Sequence, residues 1–465
     1  MRKSLAIIIA LWVSSMTLLA ERVSRDDAAL VANHFMNVAS SNTNVRMAAP
    51  AKKMVHKAMT EENLFYLYEN EDGEGWVIIA ADDAVTPILA YSETGHFRTD
   101  NMPSNIRKWL SNYNDFIRRV EADSVEASEE AAAQWNALRK SSRKATDYGN
   151  VIVGPLVKTA WDQDSPYWNK CPGSGSNRAY TGCVATAMAQ VMKYWEWPKQ
   201  GKGSLTYQPL NPNTYRKSTR YDEQTVDFGA TTYDWNNMLN SYTSTATSAQ
   251  KTAVATLMYH CGVATQMMYG NDSDGGSGTM TVNYGDWSWG LTDAGNGGCA
   301  QNALYAFFRY KKPTGYVRDG YTDESTRKKI YNSWTDTKWT AMIKEELDKK
   351  HPIIYSGGDE ESGGHCFICD GYTDQDYFHF NWGWSGDNDG YYKLDNLVPG
   401  SGGAGGGSYS FTANQDVLID IEPDYSQGIE NTEDGKVTAE KMLMDGRVII
   451  VRGQDIYTIF GQKIQ

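Results

Sequence analysis

The chain has 465 residues, with Lys+Arg 44 against Asp+Glu 57 and a formal net charge of −13. That length exceeds one ordinary domain, and the acidic balance excludes non-specific nucleic-acid binding, so no nucleic-acid partner is expected. Gly 42, Tyr 29 and Trp 15 point to a strand- and loop-rich body and exclude a helical bundle, a coiled coil or a disordered chain.

Met1-Arg-Lys3 precedes an apolar run from Leu5 to Trp12 and a small-residue end at Leu18-Leu-Ala20, which reads as a secretory signal peptide over 1–20. The run is too short for a membrane span, and no later stretch approaches one. The mature protein is therefore expected to be exported, either secreted or held at the cell surface or in the periplasm, without stable membrane insertion. Export permits disulfides among Cys171, Cys183, Cys261, Cys299, Cys366 and Cys369. If one of the six is a free nucleophile an odd number remains, so no disulfide framework is expected. Cys366-Phe-Ile-Cys369 invites a metal reading, but positions three apart on a strand face opposite ways, and no metal is expected there.

Ser24-Arg-Asp-Asp27 resembles a capping box opening a helix through Leu30, Val31 and Phe35. Leu64–Tyr68, Gly75–Ala80 and Ile88–Tyr91 read as strands, and Ile106, Leu110, Tyr113, Ile117 and Val120 as an amphipathic helix. Together they predict a small α+β unit with its own core. Residues 122–148 turn Glu-, Ala- and Ser-rich, then basic at Arg139, Lys140, Arg143 and Lys144, and read as a linker open to proteolysis; a solvated helix face is the alternative. The largest unit runs to 424. Its segments 200–250 and 270–298 read as surface loops, 253–259 as a helix, and 352–355, 366–370, 377–381 and 390–394 as consecutive antiparallel strands. The glycine-rich run 400–407 reads as a mobile loop over a cleft. The tail from 425 reads as a separate small hairpin.

The chemistry centres on Thr181-Gly-Cys183. After Cys183, Val184, Ala187, Met188, Val191, Met192 and Trp195 follow helical spacing, with Thr181 as a candidate cap and Trp197-Pro198 as a stop. Cys183 then lies in the first turn, where free N–H groups and the helix dipole favour a thiolate nucleophile. Gly182 leaves room beside the sulfur. A cysteine nucleophile needs an imidazole, and His365, after Gly363 and Gly364 at a strand start, is the best placed; His379 is second choice. Asn381 and Trp382 could orient and shield the ring. Gln163 and the Cys183 N–H are candidate oxyanion donors. Gly364 and Trp384 are candidate substrate-binding residues.

Thr181–Gln190 with Met192-Lys-Tyr194, Gly363–Phe367, and Phe378–Gly386 followed by Asp389–Asp395 resemble, in that order, motifs of the streptopain family of papain-like cysteine peptidases. Gln163–Tyr167 and Tyr233–Asn237 match further, and Gly75–Ala80 and Pro87–Ser92 resemble that family's inhibitory propeptide. The resemblance implies an α+β fold in which a small α+β propeptide precedes a papain-like domain with a helical part and an antiparallel sheet. It also implies a zymogen divided as signal 1–20, propeptide 21–145, peptidase 146–424 and tail 425–465. It maps the dyad onto Cys183 and His365 and the oxyanion position onto Gln163, and leaves Asn381 or Trp382 to orient the ring. Protein or peptide substrates, preferably with an apolar side chain two residues before the cut, its own propeptide as inhibitor in cis, and no cofactor are implied. The 270–298 insertion departs from the family pattern. The tail resembles sorting tails of secreted Bacteroidetes proteins. Two other readings compete: a Cys–His amidase or peptide transferase acting on cell-wall peptides, and a binding protein with a decayed site.

Overall fold

The computed structural model describes residues 21–39, 53–57, 64–140 apart from 101 and 103, 150–283, 298–318, 321–323, 328–330, 334–359, 363–393, 415–427, 439–444, 447–452 and 455–458. The signal stretch, most of the basic cluster and the 400–407 loop lie outside these. Helix α1 (Arg25–Ala39) opens as the sequence predicts, the Asp27 amide donating to Ser24 Oγ at 3.1 Å. Its buried stripe is Ala28, Val31, Ala32, Phe35 and Met36. Leu30, expected inside, is 42 % exposed because it lies a helical step off that stripe. Strands β1 (Met54–Lys57), β2 (Phe65–Asn70), β3 (Trp76–Ala80) and β4 (Ile88–Ser92) form an antiparallel meander, followed by α2 (Ser104–Ala122).

Part of the expected linker is a packed helix, α3 (Glu129–Arg139). Ser128 Oγ caps it through the Ala131 amide at 3.0 Å, and the buried Trp135 donates its indole N–H to Val85 O at 2.8 Å. Arg139 pairs with Asp27 and Asp83 and lies 5.0 Å over the Trp135 ring. Composition marked this stretch as polar, but Ala131, Trp135 and Leu138 give it one apolar face.

The rest of this unit contains β5 (Val151–Val153), α4 (Cys183–Trp195), β6 (Ser204–Tyr207), β7 (Gln224–Asp227), α5 (Ser248–Ala264), α6 (Ala300–Phe307), β8 (Thr314–Val317), β9 (Tyr321–Asp323), β10 (Lys328–Ile330), α7 (Asp336–Asp348), β11 (Ile353–Asp359), β12 (Gly363–Thr373), β13 (Tyr377–Asn381), β14 (Gly390–Lys393) and β15 (Asp416–Ile419). Eleven strands join one sheet in the order β1-β2-β3-β4-β14-β13-β12-β11-β15-β8, with β5 on β12. The N-terminal segment therefore lacks the separate core expected of it. Tyr91 of β4 pairs with Tyr391 of β14, and one core takes in Trp76 and Trp109 together with Phe367, Phe380, Trp382 and Tyr392. A second core on the opposite face holds Val184, Met188 and Val191 of α4, residues of α5 and α6, and Ile354, Cys366, Ile368 and Leu418. Alternation along β12 assigns Cys366 and Ile368 to the helical core, Phe367 and Cys369 to the other.

Residues 424–465 are a separate unit. It is a three-stranded antiparallel meander, β16 (Ala439–Met444), β17 (Arg447–Arg452) and β18 (Asp455–Thr458), one strand more than the expected hairpin. Among the described residues no helix is long and apolar enough to cross a membrane.

Candidate active site

Cys183 is the first residue of α4, and its N-cap is Gly182 at φ 86°, not Thr181. The positive φ suits glycine alone, and a Cβ there would meet Met267 Cε at 2.7 Å. Thr181 instead ties two segments together: its amide donates to Gln163 O at 3.1 Å, and its hydroxyl meets Thr186 Oγ1 at 3.0 Å. The stripe behind Cys183 is buried as predicted from Val184 to Met192; Trp195 is half-buried, and Glu196 ends the helix in the left-handed region.

The backbone amides of Cys366, Val184 and Cys183 itself direct positive ends at the Cys183 sulfur. They favour a thiolate, yet burial outweighs them and pushes the thiol above its ordinary range. The expected first-turn thiolate is thus a thiol in this state. All six cysteines are free. Gln163 is half-buried, its backbone amide donates to Asp162 Oδ1 at 2.7 Å, and its side-chain amide has no hydrogen-bond partner among the described residues.

His365 stands next to Cys366 on β12 and is buried, and its hydrogen bonds lie within the Trp382–Trp384 segment. Its Nε2 lies 2.9 Å from Trp382 O, and Trp384 Nε1 lies 3.2 Å from the same nitrogen. One ring nitrogen cannot donate to a carbonyl and accept from an indole at once, and the shorter contact assigns the Nε2 proton to Trp382 O. Burial pushes the imidazole down to about 4, so it is neutral. Among the described residues no hydrogen bond joins Cys183 to His365.

Asn381 does not reach the imidazole here. Its Nδ2 donates to Thr159 O at 2.7 Å, and its Oδ1 accepts from Gln190 Nε2 and the Gly383 amide, both at 3.1 Å. The neighbouring peptide carbonyl, that of Trp382, holds the ring instead, while the Trp382 indole donates to Asn388 O at 3.0 Å. Gly364 is exposed opposite Gly358, and a Cβ there would find only Gly357 O, at 4.0 Å. His379, the second choice, is bound 2.6 Å from Asp370 Oδ1.

Sequence reasoning missed Gln190, Asp389 and the grip of the N-terminal segment. Gln190 is a buried amide on the apolar helix, and its Oε1 accepts from Thr159 Oγ1 at 2.7 Å; a glutamine within a hydrophobic stripe was the available signal. Asp389 accepts from the Trp382 amide at 2.8 Å, and burial pushes its carboxyl up to about 7. Asn388 donates its amide to His96 O at 3.0 Å and accepts the Arg98 amide at 2.6 Å, while Arg98 pairs with Asp387 at 3.0 Å. The peptide segment that holds His365 is thereby held by residues 96–98, contacts between positions nearly 300 apart that no local pattern announces.

Comparison with known proteins fits this geometry. Residues 161–392 match the Peptidase C10 family, and residues 20–117 match the Spi protease inhibitor. The thiol protease/hemagglutinin PrtT of Porphyromonas gingivalis is 31% identical over 411 residues, 86% of this chain; the chain spans 42% of the length of that relative. Streptopain of Streptococcus pyogenes serotype M1 is 28% identical over 377 residues, covering 77% of this chain and 80% of streptopain. The solved fragment of Prevotella intermedia prointerpain A is 33% identical, with a TM-score of 0.56 over 80% of this chain and 99% of the fragment. With both family matches in order and 99% of the prointerpain A fragment covered at 33% identity, the chain belongs to the Peptidase C10 family, the streptopain-like cysteine-type endopeptidases.

Proposed function

We propose that the chain is a secreted endopeptidase made as a zymogen, divided as signal 1–20, propeptide 21–145, peptidase 146–424 and a tail from 425 that serves sorting. The observation that carries this reading is the position of Cys183 at the first turn of α4 with the backbone amides of Cys366, Val184 and Cys183 acting on its sulfur, His365 being the residue before Cys366. In the active state the Cys183 thiolate attacks the peptide carbonyl, and the Cys183 N–H and the unengaged Gln163 amide hold the oxyanion. His365 protonates the leaving amine, and water hydrolyses the thioester. Gly364 lets the substrate backbone pass close to the site, and Trp384 shields the imidazole.

In the precursor His365 is neutral and bound to Trp382 O, and Cys183 is a thiol, so no ion pair exists to drive attack. Activation on this reading requires the propeptide to release residues 386–388, after which His365 can leave Trp382 O for the sulfur. The packing of Arg139 supports a cut beyond Lys140. Casein hydrolysis by processed wild type beside Cys183→Ala tests the assignment: the variant should be inactive, and retained hydrolysis would end it. Full activity in uncleaved precursor would contradict the zymogen half.

A further inference from the structure

We propose that Cys366 is the resolving partner of Cys183, and that hydrogen peroxide converts the two thiols into a reversible disulfide. The proposal rests on Cys183 being the nucleophile. Cys366 has no part in the peptide chemistry above, yet it occupies the strand position after His365 and its side chain enters the core under α4. Cys183, at the mouth of α4, packs against that same core. β12 packs directly against α4, and the Cys366 amide is one of the groups that act on the Cys183 sulfur. Cys366 is 3 % exposed, while Cys183 keeps partial access to solvent. Reagent therefore reaches Cys183 first, and the second sulfur waits behind it. Cys369, three residues on, faces the other core and cannot substitute.

The steps balance. The Cys183 sulfur attacks one peroxide oxygen, the O–O bond breaks, an S–O bond forms, and the departing oxygen leaves as water with the thiol's proton. The Cys366 sulfur then attacks the Cys183 sulfur, forming S–S and breaking S–O; the hydroxyl takes the Cys366 proton and leaves as a second water. Two thiols lose two electrons and two protons, and one peroxide becomes two waters. Resolution at this point spares Cys183 from sulfinic acid, which thiols do not reverse. Burial holds both groups as thiols, so in the full chain the first step should quicken as pH rises.

The test exposes the full-length chain to hydrogen peroxide at pH 7, 8 and 9 and maps the peptides without reduction. Expected is a linked peptide pair containing Cys183 and Cys366, a loss of two mass units, and return of both free thiols with dithiothreitol. Cys366→Ala should instead carry Cys183 on to sulfinic acid, a gain of 32 mass units that dithiothreitol does not remove. Linkage of Cys183 to Cys299, or sulfinic acid as the wild-type product, would overturn the proposal. The linked pair is read in wild type by mass alone, so neither a misfolded variant nor a failure of the peptidase reading can imitate either result.

Discussion

The cysteine half and the histidine half of the site are built on different supports. The cysteine half, from Gln163 through Thr181 to α4, is fixed by contacts within residues 159–283: Thr181 to Gln163, Gln190 to Thr159, and Gly182 against Met267. The histidine half hangs on the segment from Trp382 to Asp389, and that segment is tied to residues 96–98 of the inhibitor-like part. The two halves also meet directly, Asn381 bonding Thr159 and Gln190 and the Ser385 amide donating to Trp161 O at 3.1 Å, so what sets the histidine half apart is its added tie to residues 96–98. On the proposed reading, latency rests on the contacts that hold His365 at Trp382 O.

The comparison breaks most plainly at the nucleophile. Cys183→Ala in the processed enzyme should lower kcat/KM on a peptide substrate by on the order of 10⁴-fold or more, the scale at which nucleophile loss leaves only binding and the oxyanion donors. The same substitution should leave precursor folding nearly unchanged by circular dichroism, because the cysteine half is held by its neighbours. Gln163→Ala should cost about 10²–10³-fold in kcat with little change in KM, and an equal loss in KM alone would move Gln163 from the oxyanion to ground-state binding.

The histidine half carries a pH signature. Its folded value is depressed to about 4 from an ordinary 6.5, so its contribution to precursor stability is present above pH 6.5 and is lost as pH falls toward 4. Asp389 and His379 are raised and act in the opposite sense, their contribution fading as pH rises. The His365 share is therefore read as a difference: between pH 7.5 and 5, wild-type precursor should lose about 2 kcal/mol of unfolding free energy relative to His365→Asn. Urea titrations at the two pH values measure it, and parallel losses in both proteins would place the ring outside the latent contact. The smallest effect is at the grip itself. The Arg98–Asp387 pair is half-exposed, so Arg98→Ala should loosen the precursor by less than about 1 kcal/mol and shorten the activation lag less than tenfold.

The same division governs what could be read in the chain. Cys183, its buried stripe and the strands 377–381 and 390–393 are local periodic patterns, and period alone locates them. Helix α3 was obscured because its apolar face is only Ala131, Trp135 and Leu138 amid charge. The sheet that joins β4 to β14, the diversion of Asn381 to Gln190, and the clamp on Asn388 are pairings across the chain, set by which surfaces meet and not by any window of residues. The thiolate expected of Cys183 failed for a related reason: the first-turn amides are sequence-local, while the burial that outweighs them is a property of the folded chain.

The most direct measurement is the rate of Cys183 alkylation by iodoacetamide against pH, in full-length precursor and in processed enzyme, read by peptide mass. With His365 held at Trp382 O, the precursor should label slowly at pH 6.5 and quicken continuously through pH 9, whereas processed enzyme should label rapidly at pH 6.5 with little further rise. Equal labelling of the two at pH 6.5 would mean that the thiolate and imidazolium already exist in the precursor, and would contradict the account of latency.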